Sequence, residues 1–393
     1  MKTIRIYNQL AEKGLARLPA DRYQAGPDLA PADAILLRSY KLHDEAIEDS
    51  VLAVVRAGAG VNNIPIERCA ERGIVVFNTP GANANAVKEL VAAGLLLGSR
   101  DIFGAMNYVQ TLNDVRDVAE LNKTLEANKK RFAGSEIFGM TLGVVGLGAI
   151  GSMVANMALE LGMKVVGYDP ALSVEAAWRI SSRVQKADSL QAVVDVADFL
   201  TLHIPATEQT TGLIDADLLA RAKPGARLLN FARDAVVDLP AVTAALDSGR
   251  LAAYITDFPH PDLLGRTNVL LMPHIGASTR QAEENCAVMA ADQLVDFLDN
   301  GNILNSVNYP NTRMARNGGY RITFCNENVP KVLNSVLSVL ADHEMNVIDM
   351  VNRSRGDFAY SIIDVENSPD KGVMSAIRGA EGVIRARLLP PAE

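Results

Sequence analysis

The stretch Gly143-Val144-Val145-Gly146-Leu147-Gly148-Ala149-Ile150-Gly151 decides the fold. An apolar strand runs into glycines spaced Gly-x-Gly-x-x-Gly, and an amphipathic helix over residues 152–161 follows. The first glycine permits a tight turn, the second lets backbone approach a pyrophosphate, and the third lets helix and strand pack closely. The start of the helix then offers unpaired N–H groups and a positive dipole end to the phosphates. A second strand, residues 164–168, ends at Asp169, roughly 20 residues past the motif, where an acid contacts ribose. Its carboxylate can accept from both ribose hydroxyls of NAD. A 2′-phosphate would meet like charge there and no arginine follows at once, so NAD is expected over NADP. A glycine turn followed by an incidental acid is the plain alternative; the order strand, glycines, helix, strand, acid argues against it.

Outward from this motif the rhythm continues. Further strands are expected over residues 199–204, 227–231, 253–257 and 269–272, with helical segments between them. Asp238 and Pro240 open one helix and Gly249 closes it. With the two strands already placed, this describes a doubly wound α/β sheet of Rossmann type. Residues 281–300 form a further helix. Upstream, residues 3–8, 34–39, 53–57 and 74–78 read as buried strands of a parallel sheet. Residues 83–110 read as one long helix, and the charged segment 111–139, with Lys129-Lys130-Arg131, as a solvated helix or arm. Residues 308–312 read as a linker, reinforced by Asn317-Gly318-Gly319. The remainder gives strand 320–325, helix 329–343, strands 346–352 and 359–365, a helix from about residue 370 and strand 383–388. The order βαββαβ is ferredoxin-like, and its terminal attachment suits regulation or assembly.

Bulk properties agree. A chain of 393 residues predicts two or three domains, and 49% apolar with 21% charged residues is a soluble globular composition. The net charge of −8 argues against a general nucleic-acid binder but leaves room for arginines around a small anionic substrate. No apolar run is long enough to span a bilayer and the N-terminus lacks a signal peptide's apolar region, so neither membrane nor nucleic acid is an expected partner and a cytoplasmic location is expected. Cys69, Cys286 and Cys325 are scattered without a CxxC; packed thiols are expected, with no disulfide framework and no metal site.

Hydride transfer from an alcohol needs a base for the hydroxyl proton and a clamp for an adjoining carboxylate. Histidine suits the first by its pKa and arginine the second by its fork. Ligands of doubly wound sheets sit at the carboxyl ends of strands. Of His43, His203, His260, His274 and His343, His274 fits best, just past strand 269–272. His203 also follows a strand end and lines the cofactor side; His260 stays open as a rival base. Arg233 follows strand 227–231 as the clamp, and Asp257 and Asp262 are the acids available to orient the histidine.

These motifs closely resemble the D-2-hydroxyacid dehydrogenase family from Ile35 to about Pro310. The resemblance is carried by the glycine motif, by Leu228-Leu-Asn-Phe-Ala-Arg-Asp-Ala-Val-Val-Asp238 and by Met272-Pro-His-Ile-Gly-Ala-Ser-Thr279. It implies Arg233, His274 and Asp262 as catalytic residues. It implies a cofactor set of Gly146, Gly148, Ala149, Ile150, Gly151, Asp169, His203, Phe231, Ala232, Arg233, Asp257, His274 and Gly276. It also implies a flavodoxin-like substrate domain split over residues 1–94 and 283–310 around an NAD domain at 95–282. Leu37-Arg38-Ser39, Arg56-Ala-Gly-Ala-Gly-Val-Asn-Asn63 and Asn78-Thr-Pro-Gly-Ala-Asn-Ala-Asn-Ala-Val-Lys-Glu89 are similar to the members that oxidise 3-phosphoglycerate at the opening of serine synthesis. That likeness implies Arg38, Ser39, Arg56 and Arg233 as substrate ligands. Another 2-hydroxy acid (hydroxypyruvate, glyoxylate or 2-hydroxyglutarate) is the enzymatic alternative, and an NAD-sensing scaffold the non-enzymatic one.

Residues 318–390 resemble an ACT domain, a module that binds amino acids, which implies serine as an effector at Asn328 and Asn346. The charged arm resembles the family's dimer-forming region, and the module's sheet edge suits a tetramer; a homodimer or homotetramer is expected. Three departures stand out. Asp262 replaces the family's Glu, Asp234 replaces a Gly after the catalytic Arg, and Asn326-Glu-Asn328-Val-Pro330-Lys331 lacks the His and Gly of serine-sensitive turns.

Overall fold

The computed structural model describes residues 1–391. They form two compact units, one made of Met1–Asn83 with the chain from Arg280 onward, the other of Ala84–Thr279. In the first unit, β1 (Lys2–Tyr7), β2 (Tyr23–Gly26), β3 (Ala34–Leu37), β4 (Ala53–Arg56) and β5 (Val75–Phe77) make a parallel sheet in the order β2-β1-β3-β4-β5. This is the flavodoxin-like order. β3 and β5 are buried throughout, as is β4 up to Arg56 at its end, because strands covered on both faces read as unbroken apolar runs. Leu36, Val55 and Phe77 meet Leu294 and Phe297 of the helix Arg280–Asn300 on one face. Leu37, Val54 and Val76 meet Ile47 and Cys69 on the other. β2 was not expected: Tyr-Gln-Ala-Gly has no strand-like alternation, and only Tyr23 of the four is buried.

In the second unit, β6 (Thr141–Val145), β7 (Lys164–Tyr168), β8 (Gln185–Lys186), β9 (Phe199–Leu202), β10 (Ala226–Asn230), β11 (Leu251–Thr256) and β12 (Val269–Leu271) are ordered β12-β11-β10-β9-β6-β7-β8. The chain runs outward from β6 through β7 to β8, then returns to β9 and runs the other way. The switch point therefore lies between β6 and β9, where doubly wound sheets bind ligands. Helices Ala84–Ser99 and Ala149–Glu160 cover one face through Val87, Val91, Val154 and Ala158. Helices Leu190–Val196, Ala216–Arg221 and Leu239–Asp247 cover the other through Val193, Leu218 and Val242.

The segment expected as one helix over residues 83–110 is two. It breaks at Arg100-Asp101 because the Asp101 carboxylate accepts from Gly104 N at 2.8 Å and caps a new helix, Ile102–Gln110. That helix and Val118–Asn128 bury no residue, in keeping with a solvated arm.

The segment read as a linker is also corrected. Asn308 and Tyr309 are buried. Asn308 Oδ1 accepts from Val76 N at 2.9 Å, and its Nδ2 donates to Ile74 O at 2.8 Å. The open edge of β5 needs hydrogen-bond partners, and this amide supplies them. Tyr309 Oη donates to Ala70 O at 2.7 Å.

β13 (Tyr320–Glu327), β14 (Val347–Arg355), β15 (Phe358–Val365) and β16 (Val383–Leu389) form an antiparallel sheet in the order β14-β15-β13-β16. Helices Val332–Asp342 and Lys371–Gly379 cover one face. Cys325, Tyr360 and Ile362 on the other face belong to the core of the five-stranded sheet. All three cysteines are buried and free. No helix among the described residues is long and apolar enough to cross a membrane, and no cluster of His, Cys, Asp and Glu among them is arranged to hold a metal.

Candidate active site

The glycine turn follows β6. Gly146 has φ 87°, and a Cβ there would lie 2.5 Å from His203 O. A Cβ on Gly151 would lie 1.9 Å from Gly146 O, whereas one on Gly148 would enter open space. The turn is closed on its protein side and open on the side where a pyrophosphate would lie. Gly148 caps the helix Ala149–Glu160 without a side chain of its own, which leaves the helix's first N–H groups for an anion. Asp169 follows β7. Its Oδ2 accepts from Leu147 N at 2.8 Å and its Oδ1 from Ala171 N at 2.9 Å, so the carboxylate is fixed against the glycine turn with lone pairs to spare.

His203 follows β9. Its Nε2 is 3.0 Å from Oγ1 of the buried Thr201, and its Nδ1 is buried without a partner. Burial pushes the imidazole pKa down to about 3, so the ring is neutral. A buried ring nitrogen without a partner beside a glycine turn that is open on one side fits a dinucleotide.

Arg233 follows β10 on a turn organised by Asn230, whose Nδ2 donates to Arg233 O at 2.8 Å and whose Oδ1 accepts from Ala232 N at 3.1 Å. Phe231 and Ala232 are buried beneath it and Arg233 is exposed. Asp234 is exposed in the 3-10 turn Asp234–Val236; no ion pair joins it to Arg233 among the described residues.

Asp257, 2% exposed, follows β11. Its Oδ2 accepts from Gly276 N at 2.9 Å, its main-chain oxygen accepts from His274 N at 2.9 Å, and its Oδ1 is buried without a partner. Burial raises its pKa; the Gly276 N–H and the charges of His274 and Arg233 oppose the rise. His274, after β12, is exposed and has φ 53°. A non-glycine residue in the left-handed region costs on the order of 1–3 kcal/mol and concentrates at functional sites. The Phe258 ring contacts the imidazole edge-on, centroids 5.0 Å apart. Three adjacent strand ends thus gather Arg233, Asp257 and His274.

The expected pairing of Asp262 with His274 is replaced. The short loop carries Asp262 outward, 71% exposed, to within 3.5 Å of His260 Nδ1. Asp257 is the acid that shares a turn with His274, and His260 is tied to Asp262. Sequence reasoning missed Asn230, Thr201 and Phe258. A polar residue closing a strand directly after the buried pair Leu228-Leu229 was the available signal for the first.

In the first unit, Arg38 and Arg56 follow the neighbouring strands β3 and β4, where Leu37 pairs with Arg56. Arg56 Nε donates to Arg38 O at 2.9 Å and its guanidinium also donates to Gly60 O. Ser39 N donates to Asn8 Oδ1 at 3.1 Å. Arg38 itself is ion-paired with Glu283 at 2.8 Å. In the C-terminal sheet, Asn328 Nδ2 donates to Gly356 O at 2.9 Å and Asn346 Nδ2 to Glu366 Oε2 at 3.2 Å. The pairings of Glu327 with Phe358 and of Val347 with Val365 put these two asparagines at opposite ends of the sheet. One chain does not bring them into a single effector site.

The family model for the D-isomer specific 2-hydroxyacid dehydrogenase, NAD binding domain, matches residues 108–276. D-3-phosphoglycerate dehydrogenase of Escherichia coli K12 is 32% identical over 389 residues, covering 94% of this chain and 90% of its own. The Synechocystis protein of the same name is 38% identical over 296 residues, 72% of this chain and 50% of its own. The NAD+-bound 3-phosphoglycerate dehydrogenase of Entamoeba histolytica overlays with a TM-score of 0.61 at 26% identity, covering 78% of this chain and 98% of that one. A glyoxylate reductase from Paecilomyes thermophila overlays with a TM-score of 0.65 at 21% identity, a likeness of fold. The chain belongs to the NAD-dependent, D-isomer-specific 2-hydroxyacid dehydrogenases.

Proposed function

We propose that this chain oxidises 3-phospho-D-glycerate to 3-phosphohydroxypyruvate. The observation that carries the reading is the reach of the E. coli likeness. At 94% of this chain it leaves too few residues outside the match to omit the C-terminal sheet. In this reading Arg233 clamps the substrate carboxylate through its fork, and Arg38, Ser39 and Arg56 meet the phosphate. A ring nitrogen of His274 takes the hydroxyl proton as the C–H bond breaks. NAD, when bound, supplies the hydride acceptor. The glycine turn and the Ala149–Glu160 helix start hold its phosphates, Asp169 its ribose, and the free Oδ1 of Asp257 accepts from its carboxamide. Asp257 also holds His274 in its strained turn through the main chain, so it takes the supporting place first given to Asp262.

The C-terminal βαββαβ unit is proposed as an ACT-like regulatory module. Serine would act there only where a second chain completes the site, because Asn328 and Asn346 lie apart in one. Exposed Phe103, Met106 and Val118 on the arm support a homodimer, and the exposed nine-residue edge strand β14 supports a homotetramer. A cytoplasmic location completes the reading.

The test is NADH formation with 3-phosphoglycerate, D-glycerate and D-2-hydroxyglutarate, each with and without L-serine. Turnover of the phosphorylated acid in clear preference supports the reading. Turnover of an unphosphorylated acid alone moves the substrate assignment to another member of the family. His274→Ala is expected to lower kcat by about 10²–10⁴-fold with NAD binding retained by calorimetry. Near-parental turnover would shift the base to His260.

A further inference from the structure

We infer that Glu283 sets how strongly the Arg38 corner prefers a distal phosphate over a distal carboxylate. This rests on the proposed role of Arg38 as a phosphate ligand. Glu283 stands in the first turn of the helix Arg280–Asn300, and its Oε1 lies 2.8 Å from an Arg38 terminal nitrogen. The neighbouring Glu284 is engaged elsewhere, by Lys13 at 3.5 Å and Arg280 at 3.7 Å, so Glu283 is the acid that bears on Arg38. Arg38 carries a second task through its main chain, since its carbonyl accepts from Arg56 Nε. The corner therefore combines two guanidinium groups with one carboxylate.

Charge decides the consequence. A phosphate monoester carries about −1.5 to −2 at neutral pH, against a corner whose two cations are offset by one anion. An incoming phosphate must take Arg38 from Glu283 and then sit beside the displaced carboxylate. A distal carboxylate carries a single charge and meets less of that repulsion, and an uncharged distal hydroxyl meets none. Arg38 and Glu283 are 40% and 42% exposed, so their ion pair is solvated and weak enough for a ligand to exchange. Glu283 thus raises KM for the phosphorylated acid and narrows the margin by which it is selected.

The experiment compares the full-length parent, Glu283→Gln, Arg38→Ala and the double variant with NAD and three substrates: 3-phosphoglycerate, D-2-hydroxyglutarate and D-glycerate. Gln keeps the size of Glu at an exposed helix position, and thermal melts check each fold. Glu283→Ala, which also removes the charge, stands in if Gln does not fold and should shift KM in the same direction. For Glu283→Gln we expect KM for 3-phosphoglycerate to fall by about two- to fivefold, the worth of an exposed ion pair. KM for the distal carboxylate should fall less, KM for D-glycerate less again, and kcat should move less than KM. In the Arg38→Ala background the part of the effect that comes from competition for Arg38 should be lost, so the fall in KM should shrink. An unchanged or raised KM for 3-phosphoglycerate, or an equal fall for D-glycerate, overturns the inference. If Arg38→Ala raises that KM but Glu283→Gln leaves it alone, only the role of Glu283 fails. If Arg38→Ala has no effect, Arg38 is not the phosphate ligand. A parent without turnover of 3-phosphoglycerate removes both.

Discussion

Asp257 shows at the scale of one residue how site and fold make opposite demands. Its carboxylate is 2% exposed with one oxygen unpartnered, and burial raises its pKa above the ordinary value of 3.8. The folded state therefore holds the proton more tightly than the unfolded chain. Its contribution to stability is present in full below the ordinary carboxylate range and is lost as pH rises through the raised value. At neutral pH the ionised group costs stability, and the proposed binding of the carboxamide explains why it is tolerated. Asp257→Asn removes the charge, and its oxygen can still accept from Gly276 N. The variant should melt at or above the parent's temperature at neutral pH, with the gap closing as pH falls below the carboxylate range. Its amide NH2 would replace an acceptor with a donor on the cofactor side, so KM for NAD should rise. A melting difference that does not change with pH would show that the carboxylate's burial carries no such cost.

At the scale of elements, the turn leading into the helix Val332–Asp342 keeps a glycine's conformation without the glycine. Lys331 has φ 79° at the position where the resemblance to an ACT domain leads one to expect glycine. A residue with a Cβ in the left-handed region costs roughly 1–2 kcal/mol. Glycine adopts this φ freely but loses more chain entropy on folding. Lys331→Gly should therefore stabilise the protein by about 1 kcal/mol, read as a higher urea midpoint at unchanged slope. A lower midpoint would mean that the Lys331 side chain makes a contact worth more than the strain. The same element scale separates what the sequence reveals from what it hides. β6, β9 and β10 were legible because each carries a short buried apolar stretch, Leu142–Val145, Phe199-Leu200 and Leu228-Leu229, set between helical segments. The Leu239–Asp247 helix was legible because Asp238 caps it and Pro240 suits its first turn. The break at Asp101 was hidden because Gly98 and Gly104 lie within the flanking helices and no Pro is present; one carboxylate turning to Gly104 N makes it. The glycine turn and Asp169 could be read because their geometry is local. That Asp257 and not Asp262 lies against His274 could not, because it depends on which carboxylate stays with the end of β11 when the loop turns outward. The pairing of Arg38 with Glu283 joins residues far apart in the chain and has no local signal.

At the scale of the whole molecule, the C-terminal sheet shares a core with the five-stranded sheet. Arg321 is fully buried, holds both oxygens of Asp364 at 2.7 and 2.8 Å, and donates to the carbonyls of Asn300, Met314 and Ala315. Tyr360 Oη reaches Gly301 O at 2.7 Å, Arg385 reaches Val51 O, and Arg387 lies over the Phe297 ring at 4.2 Å while donating to Phe297 O. These bonds tie β13, β15 and β16 to the C-terminal end of the helix Arg280–Asn300 and to the chain after β3. The sheet is therefore a structural part of that unit and not a module on a free tether. Removing one partner of a buried ion pair leaves the other uncompensated, at about 3–5 kcal/mol. Arg321→Ala should cost that much and should also free three carbonyls. Replacing both partners with apolar residues, Arg321→Met with Asp364→Leu, should recover much of the loss. Because the core is shared, hydrogen exchange in Arg321→Ala should rise in the helix Arg280–Asn300 as well as in β13 and β15. Exchange that rose only beyond residue 318 would mean that the sheet opens by itself, and a signal arriving there would then have no fixed path through these bonds to the helix that carries Glu283.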